Sequence, residues 1–354
     1  MNKLLSVIVP CYNMEAHVAS CLESVLGDER IEVIAVNDGS TDSTATIIDD
    51  YVKKYPESCR IINKPNGNYG SAINAGLHEA LGKYVRILDA DDHFLRSGLS
   101  SFLDILERTS ECDIILSPFV QQGKRTEKIW FGKYGKTPFT INKVLQFDEV
   151  LKEGYIEYFM MHTITYLRSL LQKIDYHQTE GISYTDQQWV FYPLFHLRTI
   201  MFTDVFVYSY TLGREGQTMD TKVLNKSVGQ LMIVTEKMGE YTDRNISMQP
   251  ISLIRKEFLL GQIAHRMSVI LRLILLEMDD NAFQSCDFPL ILRKLKDLKE
   301  RLHINRLKVR VNPVLRFDLL KYWERHGRRP RRLVLGTMRF SDRAMKYLYS
   351  LIFR

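Results

Sequence analysis

Few of the features that declare a protein class early are present in this sequence. It has five cysteines in 354 residues, Cys11, Cys21, Cys59, Cys112 and Cys286, an odd set with no C-x-x-C pair. That excludes a disulfide framework and a structural zinc site as organising devices and points to a reducing compartment. Uninterrupted apolar runs are short. The best, residues 267–276, is broken by Arg272 and falls below the ~20 residues a bilayer span needs, so no membrane crossing is expected. The apolar run at residues 4–9 follows Lys3 as in a leader, yet no small-residue cleavage site follows, so a buried first strand is expected instead. There is no P-loop, no dinucleotide fingerprint, no internal repeat and no low-complexity tract. With 45% apolar and 25% charged residues the chain is globular rather than disordered, collagenous or coiled coil.

Excess charge is also small, +6 overall, but it is unevenly placed. Residues 291–354 hold 19 Lys+Arg against 5 Asp+Glu, a net of +14, which leaves residues 1–290 at −8. An acidic body therefore carries a basic tail.

In the first 120 residues, short β-branched runs at 4–9, 32–36, 60–62 and 84–88 alternate with amphipathic helical patterns, the signature of an α/β fold with a mostly parallel central sheet. Val18, Cys21, Leu22 and Val25 share one helical face, and Ile48, Tyr51 and Val52 repeat the pattern. Ser40 or Thr41 is expected to cap that second helix and Gly82 to end the third. A further strand is expected at 113–119. From about Thr221 the pattern turns helical, with Ile254, Phe258, Ile263, Met267, Ile270 and Ile274 along one long helix. Two domains follow, residues 1–220 and a helical region 221–354, basic from about 291.

Each early strand delivers a polar loop to one sheet edge: Tyr12-Asn13, Asn37-Asp38-Gly39-Ser40, residues 63–70, and Asp89-Ala90-Asp91-Asp92. Ligands bind outside the carboxyl ends of strands in open α/β sheets. Three carboxylates in four residues repel one another unless a cation sits among them, and a hard divalent ion bridging to phosphates resolves that conflict. A capped turn is the plainer reading of the same residues. Asp38 suits a base or ribose contact, or only a Gly-containing turn. The glycines around Asn66-Gly67 permit close approach of a ligand or merely a tight turn. Asp186, in Tyr184-Thr185-Asp186-Gln187-Gln188-Trp189, reads equally as a helix start or as a general base.

Val7-Ile8-Val9-Pro10-Cys11-Tyr12-Asn13, then Asn37-Asp38-Gly39-Ser40-Thr41-Asp42, then Asn66-Gly67 leading to Asn74-Ala75-Gly76, then Leu88-Asp89-Ala90-Asp91-Asp92, in that order, resemble the family 2 glycosyltransferases of GT-A fold over about residues 4–120. Residues 184–189 are similar to the family's catalytic segment, and residues 210–219 to the segment closing the catalytic domain in bacterial capsular and exopolysaccharide members. The resemblance implies a nucleotide base held by Pro10 and Tyr12 beside Asn13, Glu15 near the ribose, and Asp38 on the base edge. It implies Asn66, Gly67 and Asn74 on the donor loop, Asp89 and Asp91 binding Mn²⁺ or Mg²⁺, and Ala90 and Asp92 near the sugar. Asp186 would deprotonate the acceptor and Arg214 would face phosphate. The chain departs from the family at Asn37, at Gly67-Asn68 and at Ala72-Ile73-Asn74, where an arginine is usual.

The implied activity is metal-dependent inverting transfer of a hexose or N-acetylhexosamine from a nucleotide sugar, with UDP as the expected carrier, to a bacterial surface-polysaccharide acceptor, lipid-linked. Transfer to a polyprenyl phosphate and a non-catalytic binding protein are the alternatives. The basic tail, residues 291–354, mixes cations with aromatics as a surface for anionic membrane does, which would place the protein in the cytoplasm, peripheral on the inner face of the cell membrane. A solvated basic face is the plainer reading; no nucleic-acid partner is expected, since no binding module is visible. His162 either faces the acceptor or is a core histidine. Nothing in the pattern specifies an oligomeric state.

Overall fold

The structure, a computed structural model, describes residues 3–123, 125–129, 140–154, 156, 159–212, 221–248, 250–304 and 319–327. The chain divides into two compact units, Met1–Arg214 with Ile251–Arg255, and Glu215–Pro250 with Lys256–Arg354.

The first unit opens with β1 (Leu5–Cys11), α1 (Val18–Val25), β2 (Ile31–Asp38), α2 (Thr44–Lys54), β3 (Cys59–Lys64), α3 (Asn68–Glu79) and β4 (Tyr84–Ile87). It continues through β5 (His93–Phe94), α4 (Arg96–Arg108), β6 (Ile114–Leu116), β7 (Phe119–Gln122), β8 (Thr126–Ile129), β9 (Leu145–Gln146) and α5 (Phe147–Lys152). It closes with β10 (Ile164–Leu167), α6 (Arg168–Lys173), α7 (Asp186–Phe191), β11 (Thr199–Phe202) and β12 (Tyr208–Thr211). The main sheet has the order β3-β2-β1-β4-β10-β6-β11-β9, and a smaller sheet has the order β5-β12-β7-β8. In the main sheet β9 and β10 run against the other six strands, so the sheet is mostly parallel, as the alternating pattern predicts.

β1 and β2 are mostly apolar because helices cover both faces of a parallel sheet; Leu5, Val7, Ile8, Val9, Val33, Ile34 and Val36 are fully buried. Burying each such side chain stabilises the fold by about 1.5–3 kcal/mol. The predicted face of α1 is the buried one: Val18, Cys21, Leu22 and Val25. All five cysteines are unpaired.

Four local expectations are corrected. Neither Ser40 nor Thr41 caps α2. The helix begins at Thr44, and Asp42 Oδ1 accepts the Thr44 N–H at 3.0 Å. Gly82 does not end α3, which stops at Glu79 with Ala80 following; Gly82 instead lies against β1, where an added Cβ would come 2.5 Å from Ser6 N. The strand expected at 113–119 is two strands, β6 and β7, which join different sheets. The fourth concerns the second unit.

That unit contains α8 (Thr221–Met248), α9 (Leu253–Arg272), whose first three residues belong to the first unit, a π-helical turn (Leu273–Glu277), α10 (Asp280–Ser285), α11 (Phe288–Arg301) and α12 (Leu319–His326). Leu259, Ile263, Met267, Ile270 and Leu271 form the buried stripe of α9. The π turn then rotates the register so that Leu273, Ile274, Leu275 and Leu276 are all buried. Taken together, Leu253–Glu277 is long and apolar enough by length and composition to cross a membrane, with mean hydropathy 1.5 over its best window, half of it buried inside the protein. The expectation that no segment approaches that length fails because Arg266 and Arg272 interrupt the run without lowering its average far.

Candidate active site

In the order β3-β2-β1-β4 the chain runs outward from β1 to β3 and then returns to the other side of β1. A crevice opens at such a switch, between the carboxyl ends of β1 and β4. Pro10 and Cys11 end β1. Tyr12, 48% exposed, follows them and offers its ring at the rim.

The next loops are tied to one another. Asn13, in left-handed backbone at φ 53°, accepts the Thr41 N–H on Oδ1 at 2.9 Å and donates its own N–H to Ser40 Oγ at 3.0 Å. Glu15 Oε2 accepts the Ser43 N–H at 3.0 Å. The buried Asp38 receives Lys64 Nζ at 2.6 Å and the Gly67 N–H at 3.0 Å on Oδ1, while its backbone carbonyl takes Asn66 Nδ2 at 2.9 Å. Gly39 must be glycine here: its φ is 74°, and a Cβ would stand 2.7 Å from Asn66 N. Pro10, Tyr12, Asn13, Glu15, Asp38, Asn66 and Gly67 thus share one rim.

β4 delivers the carboxylates. Asp89 Oδ1 accepts the Tyr69 hydroxyl at 3.0 Å, and the Asp89 N–H donates to Tyr208 Oη at 3.2 Å. Asp92 is 2% exposed; its Oδ2 accepts the Tyr208 hydroxyl at 2.7 Å and its Oδ1 the Thr211 N–H at 2.8 Å. Ala90 is buried between them in sequence. Burial first, then the charges of Asp92, Asp91 and Asp186, push the Asp89 carboxyl well above the ordinary carboxylate range. Burial, and after it the same carboxylates, pushes the Tyr69 and Tyr208 hydroxyls well above their ordinary range and Tyr210 up to about 12.

One atom each from Asp89, Asp92 and His162 lie within 4.8 Å of one another. His162 is buried, and among the described residues its Nδ1 has no hydrogen-bond partner. Burial and the Arg86 charge hold its ring neutral, with a pKa lowered to about 3. A neutral imidazole beside two carboxylates is a donor set that fits Mn²⁺ or Mg²⁺ through its oxygens, the ring nitrogen being the softer ligand. Sequence reasoning had paired Asp89 with Asp91; Asp91 follows in the same turn and its charge reaches both Asp89 and His162. The core reading of His162 holds as far as burial, for its ring also packs at 4.2 Å from Tyr210 and 5.1 Å from Phe119, centroid to centroid.

Asp186 is the first residue of α7, and its side chain accepts Gln187 Nε2 at 2.7 Å. It is a helix start, and its charge nevertheless acts on Asp89, Tyr69 and Tyr210. Two residues earlier Tyr184 sits in left-handed backbone at φ 66°, a conformation that costs an aromatic residue about 1–2 kcal/mol. Asn74 is engaged by the loop before α7: its Nδ2 lies 2.9 Å from Gln178 O and 2.9 Å from Glu180 Oε1, and its Oδ1 accepts the Gln178 N–H at 2.8 Å. Arg214 lies outside the described residues.

Three contributors went unseen in the sequence. Tyr69 carries no motif. Tyr208 comes from the small sheet, 119 residues after Asp89, where no local pattern leads. Arg86 did leave a signal, a charge inside an apolar strand: it is fully buried and donates to Ser117 Oγ, Thr165 Oγ1 and the His162 carbonyl.

The model for glycosyl transferase family 2 matches residues 6–175. The chain carries a family 2 glycosyltransferase domain. It is 36% identical over 142 residues to the minor teichoic acid biosynthesis protein GgaB of Bacillus subtilis, an alignment covering 38% of this chain and 16% of GgaB. It is 31% identical over 195 residues to the uncharacterized glycosyltransferase EpsJ of the same organism, covering 52% of this chain and 54% of EpsJ. The chain thus spans about half or less of these relatives. Among solved structures it matches S. aureus TarS residues 1–349, solved with UDP-GlcNAc, at TM-score 0.50 and 18% identity over 85% of this chain and 90% of that one. The match shows the GT-A fold of this chain.

Proposed function

We propose that this protein is a metal-dependent, inverting glycosyltransferase. Its donor is a nucleotide-linked hexose or N-acetylhexosamine, carried on UDP, and its acceptor is a hydroxyl of a lipid-linked bacterial surface polysaccharide. The observation that carries the reading is the convergence of Asp89, Asp92 and His162 within 4.8 Å, with the Asp186 charge acting on the same group. GgaB, a teichoic acid biosynthesis protein, supports a polysaccharide acceptor, and the UDP-GlcNAc in TarS makes that donor the first to try.

Departure of a nucleoside diphosphate from an anomeric carbon builds negative charge on the leaving oxygen and positive character on the ring. A divalent cation held by Asp89, Asp92 and His162, with Asp91 beside them, supplies electrostatic stabilisation of the diphosphate. Tyr12 and Pro10 bear on the base, Asp38 on its edge, Asn13 and Glu15 on the ribose side, and Asn66 and Gly67 on the donor loop. Tyr69 and Tyr208 hold the carboxylates in place. Asp186, on a separate element, takes the proton of the acceptor hydroxyl as that oxygen attacks the anomeric carbon from the face opposite the leaving group, which inverts the configuration. The leaving group needs no protonation, so a single carboxylate suffices. Arg214 is assigned to the phosphates by family resemblance.

Membrane docking through residues 291–354, on the cytoplasmic face, belongs to the same proposal. In the described part of that tail Lys294, Lys296 and Arg301 pair with Glu236, Glu324 and Asp243, and Trp323 packs on Phe288 with centroids 4.8 Å apart. These groups serve the helical unit itself. Residues 328–354, outside the described residues, hold eight Lys+Arg against one Asp, and the docking is assigned to them together with the other cations of the tail.

Nucleotide release from a panel of UDP- and GDP-sugars, with Mn²⁺, Mg²⁺ or EDTA, tests the assignment. Release from a UDP-sugar that stops with EDTA is expected; equal release with EDTA, or a preference for GDP-sugars, contradicts it.

A further inference from the structure

We propose that Asn74 is a positioning residue for Asp186, holding the loop that carries the general base rather than the donor; this rests on the reading of Asp186 above. Its amide is buckled to residues 177–180 at both ends. Nδ2 contacts Gln178 O at 2.9 Å, Glu180 Oε1 at 2.9 Å and His177 Nε2 at 3.0 Å, and Oδ1 accepts the Gln178 N–H at 2.8 Å.

The same face of α3 repeats the attachment. Ser71 Oγ donates to Glu180 Oε2 at 3.1 Å, and the Gly181 N–H donates to Gly67 O at 2.8 Å. At Gly70 the loop comes so close that a Cβ would overlap the Thr179 carbonyl oxygen and stand 3.1 Å from Thr185 Oγ1.

From the buckle the connection continues to the base. The Thr179 N–H donates to Gln188 Oε1 at 2.7 Å, and Gln188 Nε2 donates to Thr179 Oγ1 at 2.8 Å. Gln188 is fully buried in α7, two residues after Asp186. Asn74 fixes Gln178, Thr179 beside it fixes Gln188, and Gln188 fixes the helix turn that presents Asp186. At its other end α3 begins at the donor rim, through the Gly67 N–H on Asp38 and the Tyr69 hydroxyl on Asp89. One helix thereby sets the spacing between the donor's diphosphate site and the base. Misplacing a reacting group by about 1 Å costs on the order of 100-fold in rate.

The test is Asn74→Asp, alone and with Glu180→Gln. Asn74→Asp keeps the acceptor for Gln178 N–H but sets its second oxygen against both the Gln178 carbonyl and Glu180; adding Glu180→Gln restores an N–H donor across the gap to residue 180 alone. With UDP-GlcNAc as the probe donor and Mn²⁺ present, Asn74→Asp is expected to lower kcat for nucleotide release by about 10- to 100-fold. UDP affinity measured by calorimetry should change by less than about twofold, and the double variant should recover part of the lost kcat. Loss of UDP affinity in step with kcat, or no recovery in the double variant, overturns the inference and returns Asn74 to the donor. Hydrogen exchange gives a readout independent of turnover: Asn74→Asp should speed exchange at Gln178 and Gly181 and in α7, and unchanged protection there overturns the inference as well. Full turnover in Asp186→Asn, by contrast, would fault the base assignment and leave these exchange results standing.

Discussion

Asp89 carries the sharpest conflict between stability and function. Burial first, then the charges of Asp92, Asp91 and Asp186, raise its carboxyl well above the ordinary range. Asp89→Asn keeps an oxygen to accept the Tyr69 hydroxyl while removing one charge. The metal-free variant should therefore gain about 1 kcal/mol of stability and lose nucleotide release by more than about 100-fold. Thermal unfolding with and without Mn²⁺ measures the first, and a less stable variant would contradict the account. Asp92 should behave oppositely. Its two oxygens accept from Tyr208 and Thr211, and Asp92→Asn leaves one buried donor without its acceptor, a cost of about 1–3 kcal/mol. The same unfolding experiment separates the two neighbours.

Between elements, α3 matters most, since it links both halves of the reaction. Gly70→Ala would drive a methyl into the Thr179 carbonyl, and an overpacked contact of this kind costs about 1–3 kcal/mol. Reduced kcat with retained UDP binding is the expected signature. Glu180 adds a pH dependence. Hydrogen bonds from Asn74 and Ser71 and the nearby His177 lower its pKa below the ordinary 4.5. The contribution of Glu180 to fastening the loop is thus complete above about pH 4.5 and is lost as pH falls through its lowered value. Exchange at Gln178 and Gly181 should quicken on that acid side, and Glu180→Gln should remove the dependence.

These elements also show what was legible in the sequence. The strands and the loops after β1 to β4 were visible because parallel strands are mostly apolar and polar residues punctuate their ends. Asp186 and Asp89 were visible as motif residues. The tie from Asn74 to Gln178 spans 104 residues, and Tyr208 reaches Asp92 from a separate sheet. Such pairings are set by tertiary packing and leave no periodicity to read. The caps misplaced at Ser40 and Gly82 were misread because Asp42 and Glu32 supply the actual acceptors, for Thr44 N–H and Gly82 N–H respectively.

For the molecule as a whole, the uneven charge proposes where it works. Flotation of the full chain with anionic liposomes, against a version ending at residue 327, should show stronger binding by the former, weakened by salt. Equal binding of both would remove residues 328–354 from that role. The central claim, that Asp89, Asp92 and His162 hold the donor through a cation while Asp186 serves the acceptor, is tested most directly by one paired measurement. UDP is titrated calorimetrically into wild type, Asp89→Asn and Asp186→Asn, with Mn²⁺ and with EDTA, and nucleotide release from UDP-GlcNAc is followed in parallel. The account predicts Mn²⁺-dependent UDP binding in wild type and Asp186→Asn, none in Asp89→Asn, and release in wild type alone. UDP binding that ignores Mn²⁺, or Asp186→Asn releasing nucleotide at the wild-type rate, would contradict it.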